Sequence, residues 1–170
     1  DLTMLGIEVE AIEDEGKKFR GFFIGKVLTR EKHPNADKLS VCTVTLGEGE
    51  QTIVCGAPNV AAGQTVVVAT QGAIVPSAGF EIALRKIRGV ESNGMICSRA
   101  ELGVGEDDGG IWVLPEGTPL GMPLADYLGV NDIIYEIGIT PNRADCLSHL
   151  GIAREIAALD TTSISIPQTQ

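Results

Sequence analysis

The sequence of 170 residues lacks several features that catalytic or membrane-bound proteins carry. No apolar run approaches the roughly 18 residues of a membrane-spanning helix, and no basic-then-apolar signal segment opens the chain. It contains no Gly-x-Ser-x-Gly, no P-loop and no His-Glu-x-x-His. His33 and His149 are far apart, and neither has an acidic residue at relay spacing. We therefore expect no membrane association and no catalytic residues in this chain.

Aromatic residues are also scarce, at 4%, whereas hydrophobic residues make up 44% of the sequence, so the expected core is aliphatic. None of the cysteines forms a Cys-x-x-Cys pair, which argues against a zinc site. All of them lie in apolar, strand-like or helix-like surroundings, as is typical of buried, reduced thiols in a cytoplasmic protein. They are Cys42, Cys55, Cys97 and Cys146.

An excess of positive charge is missing as well, because the net charge is −10. Taken whole, this argues against binding to nucleic acid. However, residues 1–18 and 125–170 each carry a net charge of −4, whereas residues 19–124 carry eleven acidic and nine basic side chains. The basic residues cluster within 26–38 and 85–88. Any RNA contact should therefore be local and weak.

The stretch Arg85–Ser98 is the most distinctive part of the chain. Three cations fall within its first four residues, and Gly89 and Gly94 follow. Alternation on either side of the Gly and Asn residues predicts two strands joined by a turn. Backbone without a Cβ can approach a ligand closely, and neighbouring cations suit a phosphate chain. On spacing alone, a solvated hairpin whose charges keep a sheet edge soluble is the favoured interpretation.

Short alternating runs broken by Gly, Pro and Asn fill residues 19–124. About five main strands with Gly-rich corners predict a small closed barrel of the OB type. The run Phe80–Leu84 also alternates, but its apolar phase slips before Ile87, which a β-bulge near Arg85 would explain. The main strands are predicted at Phe23–Arg30, Leu39–Thr45, Gln51–Cys55, Thr65–Thr70 and Ile111–Leu114.

The two ends of the chain are predicted to form a second, incomplete α+β domain from residues 1–18 and 125–170. It would contain strands at 7–12 and 133–139 and an amphipathic helix over 144–159. Residues 164–166 suggest a final strand, and Pro167 onward looks frayed. We expect these flanks to pack together, so that the barrel of residues 19–124 is an insertion in a mostly β protein with some α structure.

Several blocks, in order, resemble known families. His33–Leu39 (HPNADKL), Val54–Val60 (VCGAPNV) and Arg88–Ser98 (RGVESNGMICS) resemble the tRNA-binding OB-fold domain of synthetase-associated proteins. Leu2–Glu10 and Ile139–Ser148 (ITPNRADCLS) resemble the N-terminal region of the bacterial phenylalanyl-tRNA synthetase beta subunit. The resemblance covers nearly the whole chain. Since that subunit is several times longer, it implies a fragment.

The resemblance implies an enzyme that joins phenylalanine to its tRNA with ATP and Mg²⁺, as a tetramer of two alpha and two beta chains. In that family the aminoacylation centre lies on the alpha chain, and editing lies in later beta-chain domains. This region is then expected to bind tRNA or to act as a scaffold, with no cofactor or metal of its own. Its partners would be tRNA, the alpha subunit and the rest of the beta subunit. Two alternatives stay open. One is a free-standing tRNA-binding module or a domain appended to methionyl-tRNA synthetase, and the other is a purely structural assembly module.

The cations of residues 85–88 are expected to bind phosphates, and Lys38 would do so at a strand mouth. The amide of Asn59 either caps a loop or reads a base edge. Asn35 and Asp37 are interpreted as turn formers, and Arg143 is interpreted as pinning its loop. The candidate tRNA ligands are Lys38, Asn59, Arg85, Lys86, Arg88, Ser92, Asn93 and Ser98.

Overall fold

The computed structural model describes residues 2–166 and 168. The chain divides into two compact units, formed by the described residues of Asp1–Asp14 with Ile133–Gln170 and by Glu15–Asp132. Strands make up 32% and helices 17% of the residues that the structure describes, so the protein is mostly β with some α structure. The second unit takes in residues 15–18 and 125–132, which the sequence analysis grouped with the flanks. Residues 125–132 lie with the barrel because Tyr127, Leu128 and Val130 pack against its core, and residues 15–18 belong to a turn that ends at the buried Phe19.

The described residues form short strands and two α-helices, with 3₁₀ turns at Leu2–Leu5, Glu15–Phe19 and Ala144–Cys146. The helices are α1, Leu124–Leu128, and α2, His149–Asp160. None of the helices in the described part of the chain is long and apolar enough to cross a membrane. In chain order the strands are β1 Glu8–Asp14, β2 Phe22–Lys32, β3 Ser40–Thr45, β4 Gln51–Cys55, β5 Thr65–Ala69, β6 Arg85–Ile87, β7 Val90–Ser92, β8 Met95–Ile96, β9 Val113–Leu114 and β10 Ile133–Gly138.

The barrel is one antiparallel sheet in the order β4-β3-β2-β5-β8, with β9 also paired to β5. The long strand β2 pairs with both β3 and β5, and its register with β3 shifts between Val27 and Thr29. Gly25 lies before this shift, opposite Val66 of β5, and a Cβ there would come within 2.8 Å of a Val68 methyl group. Bulges and glycines of this kind let a sheet curl onto itself. The sheet is nearly closed, in agreement with the predicted OB-type barrel.

The core is aliphatic, as the composition indicates, and it lies on both sides of β5. All five residues of β5 are buried. Val66 and Val68 belong to a cluster with Val27, Val44 and other residues of β2 to β4. Val67 and Ala69 point to the opposite face and pack in a second cluster with Phe22 and Leu124. A strand covered on both faces reads as a continuous apolar run, which is why β5 was predictable.

One prediction about the region before the basic stretch is wrong. The alternating run Phe80–Leu84 is not one of the strands, although Glu81 forms an isolated bridge to Ile74 and Ile82 exchanges backbone hydrogen bonds with Gly72 and Ala73. There is also no β-bulge at Arg85, since β6 pairs with β7 in regular register from Arg85↔Ser92 to Ile87↔Val90. The alternation of apolar residues changes phase because residues 80–84, with Ile82 buried in the core, and the hairpin that begins at Arg85 are separate segments.

The flanking unit contains the expected pairing of its two strands. β1 and β10 are antiparallel, from Glu8↔Gly138 to Asp14↔Ile133. The helix predicted over 144–159 is divided, because Ser148 is extended and its side chain accepts a hydrogen bond from the Gly151 N–H at the start of α2. Residues 164–166 have no regular structure, and Pro167 lies outside the described residues.

Candidate nucleic-acid interface

The stretch Arg85–Ser92 forms a two-stranded ribbon, which we call the basic hairpin. Its three cations, Arg85, Lys86 and Arg88, are all exposed. Arg88 and Gly89 form the two-residue turn with φ values of 46° and 98°. Positive φ at both central residues is typical of the type I′ turns that match the twist of paired strands. Local sequence therefore presents three cations on one short exposed ribbon.

The tip of the basic hairpin contacts the loop after β2. His33 is buried, and its Nε2 lies 3.1 Å from the carbonyl oxygen of Ile87. The side-chain amide of Asn35 donates to the carbonyl oxygen of Arg88 at 3.0 Å. Asn35 is the predicted turn former, and the structure gives it this long-range contact as well. The hairpin tip is thus held by backbone acceptors, which leaves its cationic side chains exposed.

The base of the basic hairpin closes the barrel against β4. The Ser92 hydroxyl accepts a hydrogen bond from the Val54 N–H at 3.0 Å, and the Asn93 N–H donates to the Thr52 carbonyl at 2.8 Å. The Asn93 side-chain oxygen accepts from Gln71 at 2.7 Å. These candidate ligands are therefore engaged in joining the barrel's edges. Their polarity is visible in the sequence, whereas their partners, Val54 and Gln71, are brought near only by the fold.

Ser98 and Asn59 also have structural partners. Ser98 is buried, its hydroxyl accepts from the Glu101 N–H at 3.2 Å, and its own N–H donates to the Glu101 carboxylate at 2.6 Å. The Asn59 amide is bonded at both ends to the backbone of Ile111, at 2.9 and 3.0 Å. This matches the loop-capping interpretation of Asn59, because one N–H and the oxygen of its amide are both bonded to the backbone of Ile111.

Lys38 lies in a groove of about 590 Å³, which we call the basic groove. The groove runs between the end of β2, the start of β3 and the corner 56–58. Arg30 and Lys32 also line it, and sequence analysis did not select them, although they belong to the basic cluster at 26–38. Arg30 donates to Ser40 at 3.0 Å, and Lys32 pairs with Asp37 at 2.8 Å. Glu31 lines the groove as well, so the lining contains three basic and two acidic side chains.

The flanking unit has a compact ionic cluster around Arg143. Its guanidinium donates to Asp145 at 3.0 and 3.2 Å, to Glu155 at 2.9 Å and to the Leu5 carbonyl at 3.2 Å. Hydrogen bonds from Arg143 lower the pKa of Asp145 to about 2. In the described part of the chain, Asp145, Cys146 and Glu155 are the one group spaced to hold a metal ion. The Arg143 cation is already paired with both carboxylates, and it pins its loop as the sequence suggested.

The thiols lack the environment of reactive nucleophiles. All four cysteines are free and buried. Burial raises the pKa of Cys42 to about 11 and also raises that of Cys97. Because the thiolate is the nucleophilic form, these groups are inert near neutral pH.

Comparison with known proteins gives consistent matches. Residues 22–123 match the family described as "Putative tRNA binding domain". The phenylalanine–tRNA ligase beta subunit of Syntrophus aciditrophicus is 48% identical over 98% of this chain and 21% of its own length. The same-named subunits of Novosphingobium aromaticivorans and Geobacter sulfurreducens are each 52% identical, over 92% and 98% of this chain and over 20% and 21% of their own lengths. The chain thus spans about a fifth of the curated relatives it matches.

Proposed function

The chain belongs to the "Putative tRNA binding domain" family, and on that premise we propose that it is the tRNA-binding region of a phenylalanine–tRNA ligase beta subunit. The observation that carries this proposal is the extent of the matches. Relatives with that name align over 98% of the chain and so include the flanking unit, whereas the domain family ends at residue 123. This favours a beta subunit over a free-standing module or a domain appended to methionyl-tRNA synthetase.

The chemistry of binding is proposed to be phosphate contact. Arg85, Lys86 and Arg88 offer exposed cations, and Lys38 with Arg30 offers more in the basic groove. Phosphate contacts fix the position of a protein on RNA without reading its sequence. Because the net charge of −10 opposes long-range attraction, the contact is weak and short-ranged.

The wider role is inferred for the whole enzyme of which such a subunit is part. It would attach phenylalanine to tRNA with ATP and Mg²⁺, in a heterotetramer with an alpha subunit, in the cytoplasm. The buried free thiols support a reducing compartment. The cluster of possible metal ligands at Asp145 does not suit Mg²⁺, because the Arg143 guanidinium occupies it. The chain alone is expected to form no phenylalanyl-tRNA.

Titration of labelled tRNA with the chain across a series of salt concentrations tests the proposal. About three phosphate contacts predict a slope of about −2 to −3 when log affinity is plotted against log salt concentration. Absence of binding at low salt would instead support a purely structural module, a second candidate that the acidic balance of the chain favours.

A further inference from the structure

The basic hairpin is not part of the barrel sheet. β6 and β7 pair with each other in a separate two-stranded sheet and have three residues each. A two-stranded hairpin of this size is marginal in water by itself. The direction of its three cations must therefore be fixed by contacts outside its own ladder. At its base these are the hydrogen bonds of Ser92 and Asn93 to β4.

At the tip, the contacts come from two side chains of the loop after β2. The Nδ1 atom of His33 accepts a hydrogen bond from the Asn35 N–H at 3.0 Å, so the ring proton lies on Nε2. Nε2 then donates to the Ile87 carbonyl. Asn35 donates to the next carbonyl, that of Arg88. Two consecutive carbonyls of the turn are thus fixed by side chains more than 50 residues away in sequence.

We propose that His33 and Asn35 are positioning residues that hold the basic hairpin in the orientation in which its cations meet the phosphates of RNA, a role that rests on the proposed tRNA binding. Both side chains act through backbone carbonyls and leave the cations free. His33 is only 3% exposed and cannot itself be a ligand. One of the two N–H groups of the Asn35 amide donates to the Arg88 carbonyl oxygen.

The same loop also joins the hairpin to the basic groove. Lys32 and Lys38 line the groove on either side of His33 and Asn35 in sequence. The His33 N–H donates to the Leu39 carbonyl at 3.0 Å, which closes the loop. His33 and Asn35 therefore set the spacing between the cations of the basic hairpin and those of the basic groove, which a phosphate chain would contact.

The test compares Asn35→Ala, in the whole chain, with Asn142→Ala, which makes the same change at an exposed site of the flanking unit. Loss of a neutral hydrogen bond of about 1 kcal/mol should speed hydrogen exchange of the hairpin amides about 3- to 10-fold. The affinity for tRNA should fall several-fold, while the barrel strands keep their protection. His33→Phe should act in the same direction, and His33→Gln, which keeps an N–H donor, should restore part of the loss.

Because His33 is buried, replacing it can destabilise the barrel, so the exposed Asn35 carries the decisive comparison. In a variant that already has Arg85, Lys86 and Arg88 changed to Ala, Asn35→Ala should cause no further loss of affinity, since coupled residues are not additive. An additive loss, or unchanged exchange of the hairpin, would overturn the positioning role. If the unaltered chain binds no tRNA, the proposed function fails. That outcome is distinct from failure of the positioning role, because hydrogen exchange of the hairpin is measured without RNA.

Discussion

Single polar side chains in this protein serve either folding or binding, and Asn59 illustrates the first case. Its amide bonds to both backbone groups of Ile111. Asn59→Ala should lower the free energy of unfolding by about 1–3 kcal/mol, because it leaves those groups without partners. Urea denaturation measures this. The affinity of the folded variant for tRNA should equal that of the parent. Weaker binding with unaltered stability would instead make Asn59 an RNA ligand.

Asp145 provides a prediction about pH. Arg143 depresses the folded-state pKa of Asp145 to about 2, from a usual value of 3.8. A depressed carboxyl pKa stabilises the fold above pH 3.8, and this contribution is lost as pH falls through about 2. Asp145→Asn should therefore speed hydrogen exchange in α2, which holds Glu155, at pH 5 to 7, whereas the two proteins should converge near pH 2. Asp108→Asn, at an exposed barrel site, is the control. A difference that persists unchanged at pH 2 would refute the ionic origin.

The cations and the polar candidates were not equally predictable. Arg85, Lys86 and Arg88 are exposed because local alternation and a turn place them on a hairpin, which sequence reasoning can detect. Ser92 and Asn59 looked like ligands because their partners lie 38 and 52 residues away. Such long-range hydrogen bonds follow from barrel closure, which no local pattern encodes.

The basic hairpin as an element should account for the salt dependence of tRNA binding. Changing Arg85, Lys86 and Arg88 together to Ala should weaken binding and flatten the log–log salt slope by about two to three units. Sequence preference should change little, because phosphate contacts do not specify bases.

A control for the hairpin variant changes Lys17, Lys18 and Arg154 to Ala, which removes the same charge elsewhere. It should affect the affinity only slightly, through the net charge. If the hairpin variant binds tRNA as the parent does, with the same salt slope, the purely structural function becomes the better account.

The pairing of β8 with β5 depends on Gly94, the residue just before β8. Its φ is +112°, and a Cβ there would lie 2.6 Å from the Ala69 carbonyl oxygen. Gly49 has a φ of +70° and open space around it. Gly49→Ala should cost about 1 kcal/mol for backbone strain alone. Gly94→Ala should cost clearly more in urea denaturation, because β8 must also move away from β5. Equal costs would show that the edge is free to adjust.

Elements were predictable where periodicity and burial agree. β2 to β5 follow from alternation or from a continuous apolar run bounded by turns. Phe80–Leu84 has the same alternation but forms only an isolated bridge with Ile74 and a few backbone hydrogen bonds to residues 72–75, too short a pairing to be a strand. The helix predicted over 144–159 is divided at Ser148, whose capping role depends on the backbone around it. The sequence pattern therefore predicts where helices and strands lie better than it predicts the residues at which they begin and end.

At the scale of the whole molecule, the two ends of the chain form the flanking unit and the residues between them form the barrel unit. Asp14 pairs with Ile133 at the end of the β1–β10 ladder. Within the barrel unit, the Glu15 N–H lies 3.4 Å from the Asp132 carbonyl oxygen. The two ends of the inserted segment are therefore adjacent, so the insertion needs no linker. The pairing of β1 with β10 is the part of this arrangement that the need of a lone strand for a partner predicts.

The distribution of charge between the two units leads to the final prediction. Residues 15–132 carry 14 acidic and 11 basic side chains, a net charge of −3, whereas the flanks carry nine acidic and two basic side chains, a net charge of −7. Because the ends of residues 15–132 meet and the core clusters lie within that range, this segment should fold alone, as circular dichroism and cooperative urea unfolding would show.

At low salt the isolated segment 15–132 should bind tRNA more tightly than the whole chain, because seven negative charges that repel the polyanion are gone. The two affinities should converge as salt screens charges beyond about 8–10 Å. Both proteins should keep a slope of about −2 to −3 at high salt, since the same hairpin makes the contacts. A folded segment that has lost tRNA binding would place the contact in the flanks, and the hairpin would then be only a soluble edge of the barrel.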